Sequence, residues 1–164
     1  MIKHLYRFLL RNSWPTNTLL LFIVSRCISL ILALVVLTYT LLSNDIPPII
    51  GGPTITNWQS ILYGIAIAPI LETLLYCSAV FFFFETVIQT DRHPLWTIIA
   101  SATCFSLAHG YSLLYPILVF PSGIIYAFSY HFFKRTKSIS FAIMCVTLLH
   151  ALNNISALLY SLAK

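Results

Sequence analysis

Apolar residues dominate five stretches of the chain, Leu19 to Leu42, Ser60 to Val87, Leu95 to His109, Leu113 to Phe133 and Ser138 to Leu162, with polar and turn-forming residues between them. Stretches of about 20 apolar residues are long enough to cross a hydrocarbon core as helices. The third stretch is short for a span and is bounded by two turn-like triplets, Arg92-His93-Pro94 and Gly110-Tyr111-Ser112. It either crosses with its His end under the interface or forms the first arm of a helical hairpin with the fourth. The expected fold is all-α: a polytopic membrane bundle of about five transmembrane segments. It forms a single domain over residues 1–164, with residues 19–42 as a signal-anchor span and residues 60–162 as the core. Trp14 and Trp96 on one side, and Trp58, Tyr111 and Tyr160 on the other, fall where interfacial aromatic residues belong.

Composition agrees with that pattern. Of 164 residues, 59% are hydrophobic and 8% charged, so water is not the solvent for most of the chain. The net charge of +5 does not form one patch; the basic residues flank the apolar stretches, which argues against nucleic-acid binding and for membrane topology signals. Lys3, Arg7 and Arg11 precede the first span, Arg92 lies in the second loop, and Lys134, Arg135 and Lys137 lie in the fourth, whereas the first and third loops carry no Lys or Arg. The N-terminus is therefore expected in the cytoplasm of a bacterial-type cell. Five spans then leave the C-terminus, with Lys164, outside. The first apolar run is too long for a cleaved signal peptide, and Thr38 to Asp45 offers no small-x-small cleavage site. Arg26 lies inside that run, near its cytoplasmic end, and is expected to snorkel. Cys27, Cys77, Cys104 and Cys145 fall inside spans without a C-x-x-C pair and read as small hydrophobes.

Against this background four polar residues stand out: Glu72, His109, His150 and Asn154. An ionisable side chain at membrane depth costs from about 3 to over 10 kcal/mol, so it marks a site or a specific partner. His150 and Asn154 are one helical turn apart and share a face. Counted from the cytoplasmic ends of their segments at about 1.5 Å per residue, Glu72, His109 and His150 all lie roughly 18 to 23 Å in, with Asn154 a turn beyond. They are level, past the midplane of a core about 30 Å thick.

The same residues carry a resemblance. Glu72-Thr73-Leu74-Leu75-Tyr76-Cys77, Phe105-Ser106-Leu107-Ala108-His109 and His150-Ala151-Leu152-Asn153-Asn154 resemble, in order, the three motifs of the CAAX-protease and bacteriocin-processing (CPBP) family of intramembrane endopeptidases. Those motifs read E-E-x-x-x-R, F-x-x-x-H and H-x-x-x-N or H-x-x-x-D. The likeness runs from about Leu62 to Ala157 and leaves the first span outside. In the first motif Thr73 stands for the second Glu and Cys77 for the Arg. These positions are i and i+4 on one face, so both halves of a possible ion pair are replaced together and no orphan charge remains.

The resemblance implies peptide-bond hydrolysis with Glu72 as the catalytic carboxylate. Glu72 with His109 would activate a water, while His150 and Asn154 would donate hydrogen bonds to the developing oxyanion. The implied partner is a membrane-embedded or lipid-anchored protein substrate cut near its C-terminus, and no cofactor is implied. Two His and a Glu could instead bind zinc, although no H-E-x-x-H is present. Two non-enzymatic classes compete: an immunity or binding protein on the same fold, and a small transporter that relays protons through Glu72. His4, His93 and His131 lie near interfaces and read as structural, Glu85 and Asp91 as solvated, and Asn153 as a competitor for the role of Asn154.

The charge asymmetry makes a direct prediction about topology. A reporter active only outside the membrane should be active when fused after Gly51 and silent when fused after Thr136. The opposite pattern would reverse the orientation.

Overall fold

Ser13 separates the first two helices of the computed structural model, which describes residues 2–43, 58–89, 94–110 and 114–162. Its hydroxyl pairs with Thr16 Oγ1 at 2.8 Å, and Pro15 sits in the first turn, where a missing N–H costs nothing. The helices are α1 (Ile2–Arg11), α2 (Trp14–Ser43), α3 (Trp58–Thr86), α4 (Pro94–Ala108), α5 (Tyr115–Thr136) and α6 (Ile139–Leu162). No strand occurs among the described residues. Four of them, α2, α3, α5 and α6, contain stretches long and apolar enough to cross a membrane. At 15 residues α4 extends only about 22 Å. Large apolar side chains such as Ile23, Leu30 and Leu34 on α2, and Leu62, Leu71 and Leu75 on α3, point out of the bundle as a lipid-facing surface requires. The fold is the expected all-α membrane bundle.

An additional helix, α1, precedes the first apolar run. Its pattern is a face rather than a run: Leu9 is buried, Arg7 and Arg11 are exposed, and Tyr6 meets Phe132 of α5 edge-on at 5.0 Å. Asn17 Nδ2 donates to the Leu9 carbonyl at 2.8 Å and fixes the bend between α1 and α2.

Because α2 begins at Trp14, Arg26 lies twelve residues into it, about 18 Å along the axis. It does not snorkel. Its Nη1 donates to Ser156 Oγ of α6 at 3.0 Å. Glu85 departs from expectation too: instead of being solvated, it pairs with Lys134, joining the end of α3 to the end of α5. The four cysteines are free thiols, with Cys77 and Cys145 buried. Asp91, Arg92, His93, Tyr111, Ser112 and Lys164, the loop containing Gly51, and the side chains of Lys3, His4 and Tyr160 lie outside the described residues.

Two stretches of α3, Tyr63–Ile67 and Thr73–Ala79, are π-helical. In the first, Ala68 N–H bonds the Tyr63 carbonyl five residues back. Continuing the pattern, residue 69 would bond Gly64, but Pro69 has no N–H. One backbone carbonyl of α3 is thereby left without its helical partner.

The short helix α4 lies along α5, and the two pass closely at Gly123. A Cβ there would stand 3.1 Å from Ala102 Cα and 3.1 Å from the Phe105 ring, tighter than a packed core accommodates without movement. Gly123→Val should therefore lower the unfolding free energy in detergent by about 1 to 3 kcal/mol. Unchanged stability by thermal melting would show that α4 and α5 can separate at no cost.

Candidate active site

The polar residues of α3, α4 and α6 meet. Glu72 lies between the two π-helical stretches of α3, where a wider turn turns side chains off the regular helical register. Its Oε2 is 3.6 Å from His109 Nε2, at the end of α4, and 3.6 Å from His150 Nε2, on α6. Both distances exceed a hydrogen bond, so the three groups face one another without bonding directly. Glu72 Oε2 and His150 Nδ1 are buried and have no hydrogen-bond partner.

His109 is oriented from behind. Its Nδ1 is 2.7 Å from the Phe105 carbonyl, one turn back on α4. A carbonyl can only accept, so Nδ1 carries the proton, and the neutral ring presents a lone pair at Nε2 toward Glu72. Phe105 also frames both imidazoles: its ring centroid lies 4.5 Å from that of His109 and 5.5 Å from that of His150. Tyr126 of α5 stacks on His150 at 4.7 Å. The phenol oxygen of Tyr126 accepts from Asn153 Nδ2 at 2.7 Å, and that amide also reaches Ser25 Oγ of α2 at 3.3 Å. Asn153 thus faces α2 and α5 and braces the ring that backs His150.

Asn154 faces α3. Its Nδ2 donates to the Gly64 carbonyl at 2.7 Å, the acceptor that Pro69 cannot serve. One of the two amide N–H groups of this expected donor to a reacting oxygen thus closes a gap in α3. The second π-helical stretch is tied in a similar way: Ser101 Oγ of α4 donates to the Tyr76 carbonyl at 2.6 Å. A tie to each neighbour holds α3 on either side of Glu72.

Exposure differs across the set in a way that orders it. The side chains of Glu72 and His109 are 24% and 16% exposed, whereas that of His150 is 5% exposed. The set is open on the side of Glu72 and His109, and His150 closes the inner wall. A crevice lined by Glu72, Thr73, Cys77, Ser101, Tyr126 and His150 continues inward, but it has no room for a water-sized sphere. A water or a substrate bond enters only as these side chains move apart. Thr73 and Cys77, which differ from the family motif, are both buried, so neutral side chains occupy a place where an ion pair would have to be desolvated. Cys77 Sγ has Ser101 Oγ at 4.0 Å. Among the described residues no group of three His, Cys, Asp or Glu is arranged to hold a metal ion.

Residues 54–156, well over half of the chain, match the family model of the Rce1-like type II CAAX prenyl endopeptidases, and the chain belongs to this family of membrane-bound proteases. The matched segment contains Glu72, His109, His150 and Asn154 and leaves α1 and α2 outside. No curated protein and no solved structure matches the chain significantly.

The tie between Asn154 and Gly64 has a specific test. Asn154→Ala should cost about 1 to 3 kcal/mol, the penalty of a buried carbonyl left unmet. In a Pro69→Ala background, which restores the N–H, the same change should cost markedly less. Additive losses in this double-mutant cycle would refute the tie.

Proposed function

We propose that this chain is an intramembrane endopeptidase that hydrolyses a peptide bond near the C-terminus of a membrane-embedded or lipid-anchored protein, using a water activated by Glu72. The observation that carries this reading is the carboxylate set 3.6 Å from two imidazoles at a depth where an unpaired charge is costly. The family match supports it independently. The basic residues flanking the spans support an enzyme whose N-terminus faces the cytoplasm.

The chemistry follows from the tautomers. Glu72 Oε2 and His109 Nε2 are acceptors close enough to take the two protons of one water as hydrogen bonds. That leaves a lone pair of the water free to attack the scissile carbonyl carbon. As the carbon–oxygen bond forms, the water's proton passes to Glu72 and the carbonyl π pair moves to oxygen. His150, with a proton on Nε2, donates to that oxyanion. Collapse of the tetrahedral intermediate expels the amine, which takes the proton back from Glu72. No covalent enzyme intermediate is required. Asn154 serves by holding the His150 face of α6 against the Glu72 turn of α3.

The rival zinc reading uses the same three side chains. The metal-independent reading is favoured because no group of three His, Cys, Asp or Glu among the described residues is arranged to hold a metal ion; the His109 Nδ1 bond to a carbonyl suits either reading, since it leaves Nε2 as the acceptor.

Purified enzyme in detergent, given an internally quenched prenylated peptide, should keep its rate after exhaustive treatment with a strong chelator. Glu72→Gln should abolish turnover while melting as the wild type does, because Gln is nearly isosteric and cannot take the proton. Loss of activity on chelation with rescue by zinc would favour the metal reading. An active Glu72→Gln variant that is also chelator-resistant would defeat both and favour a binder or a transporter.

A further inference from the structure

Thr73 departs from the bonding of most helical threonines in this bundle. Thr18, Thr38, Thr86, Thr103 and Thr136 each donate their hydroxyl to the carbonyl four residues back, at 2.6 to 3.0 Å. Thr73 does not. Its residue is 2% exposed, and its Oγ1 is buried without a hydrogen-bond partner. A buried hydroxyl left unmet costs about 1 to 3 kcal/mol, and valine would fill the same volume without that cost.

The position of this hydroxyl gives it a use. Thr73 lines the crevice that Glu72 and His150 also line, while Asn154 does not. Three unpartnered polar atoms, Glu72 Oε2, Thr73 Oγ1 and His150 Nδ1, belong to residues of this one crevice. Thr147 Oγ1 is also unpartnered, but Thr147 does not line the crevice. His150 is the one imidazole there, and a tetrahedral oxyanion in a dry site needs more than one donor. Asn154, on the same face as His150, gives one of its two amide N–H groups to Gly64 at 2.7 Å.

We infer that Thr73 is a further catalytic residue: its hydroxyl donates, together with His150, to the oxyanion formed when the Glu72-activated water adds to the substrate carbonyl. The inference rests on the protease reading above. Thr73 forms no covalent bond and transfers no proton. The electron pair of the carbonyl goes to oxygen as the new carbon–oxygen bond forms, and the hydrogen bond from Oγ–H strengthens with that charge. In this chain the hydroxyl stands at the motif position where a second Glu is usual, and a carboxylate there could not donate. The substitution thus changes an acceptor into a donor.

The test compares variants that keep size or keep the hydroxyl. Thr73→Val should lower kcat on the quenched prenylated peptide about 100- to 1000-fold, with KM little changed and a melting temperature no lower than that of the wild type. Thr73→Ser should retain activity within several-fold. Should Val pack poorly, Thr73→Ala replaces it: Ser active with Ala inactive supports the assignment, and equal rates for Ser and Ala overturn it. A Thr73→Val rate equal to the wild type, with Glu72→Gln inactive, removes Thr73 from the chemistry and leaves the protease intact. A wild type no faster than Glu72→Gln on this peptide overturns the protease reading and this assignment with it.

Discussion

A bilayer offers the backbone no water, so every carbonyl that a spanning helix fails to pair must be met from within the bundle. In this protein that constraint falls on α3. Pro69 leaves Gly64 unmet, and Asn154 of α6 meets it; in the second π-helical stretch the Tyr76 carbonyl accepts from Ser101 of α4. These two hydrogen bonds lie on either side of Glu72 along the chain and come from the two helices that carry the imidazoles. The same contacts that repair α3 therefore set the distances between the carboxylate and both histidines. A regular helix with no proline would pair the Gly64 carbonyl itself and would not need the tie from α6.

Around this framework the aromatic residues do the finer positioning. Phe105 sits among His109, His150 and Tyr126, with ring centroids 4.5, 5.5 and 5.5 Å away. The close passage of Gly123 lets α5 bring Tyr126 against His150. Tyr126 is in turn anchored by Asn153, and Asn153 by Ser25 of α2. Helix α2, which lies outside the matched segment, is in this way joined to the wall of the site, and Arg26 adds a second bond to α6 through Ser156.

Much of the fold was legible because lipid imposes long apolar segments whose length and flanking charges stand out in a linear sequence. The meeting of Glu72 with His109 and His150 was legible for a related reason: each is ionisable, at membrane depth, and at a similar distance along its segment. What escaped notice depends on three-dimensional detail. Helix α1 has an amphipathic face of ten residues and no apolar run. Asn154 shares a face with His150, but only the missing N–H of Pro69 and the π-helical register explain why its amide turns to Gly64. Arg26 was read from a segment boundary at Leu19; the helix begins five residues earlier, which moves the guanidinium from the membrane edge to its interior. The Glu85 pair with Lys134 needed the relative rotation of α3 and α5, which no spacing in the chain encodes.

The central claim is that Glu72, held between two imidazoles, removes a proton from a water that attacks the substrate directly. A single turnover in water enriched in oxygen-18, followed by mass spectrometry of the product and of the Glu72 peptide, tests it most directly. Direct attack predicts one heavy oxygen in the new product carboxylate and none in Glu72. Heavy oxygen in the Glu72 carboxylate would mean that this side chain had itself bonded to the substrate, and would contradict the claim.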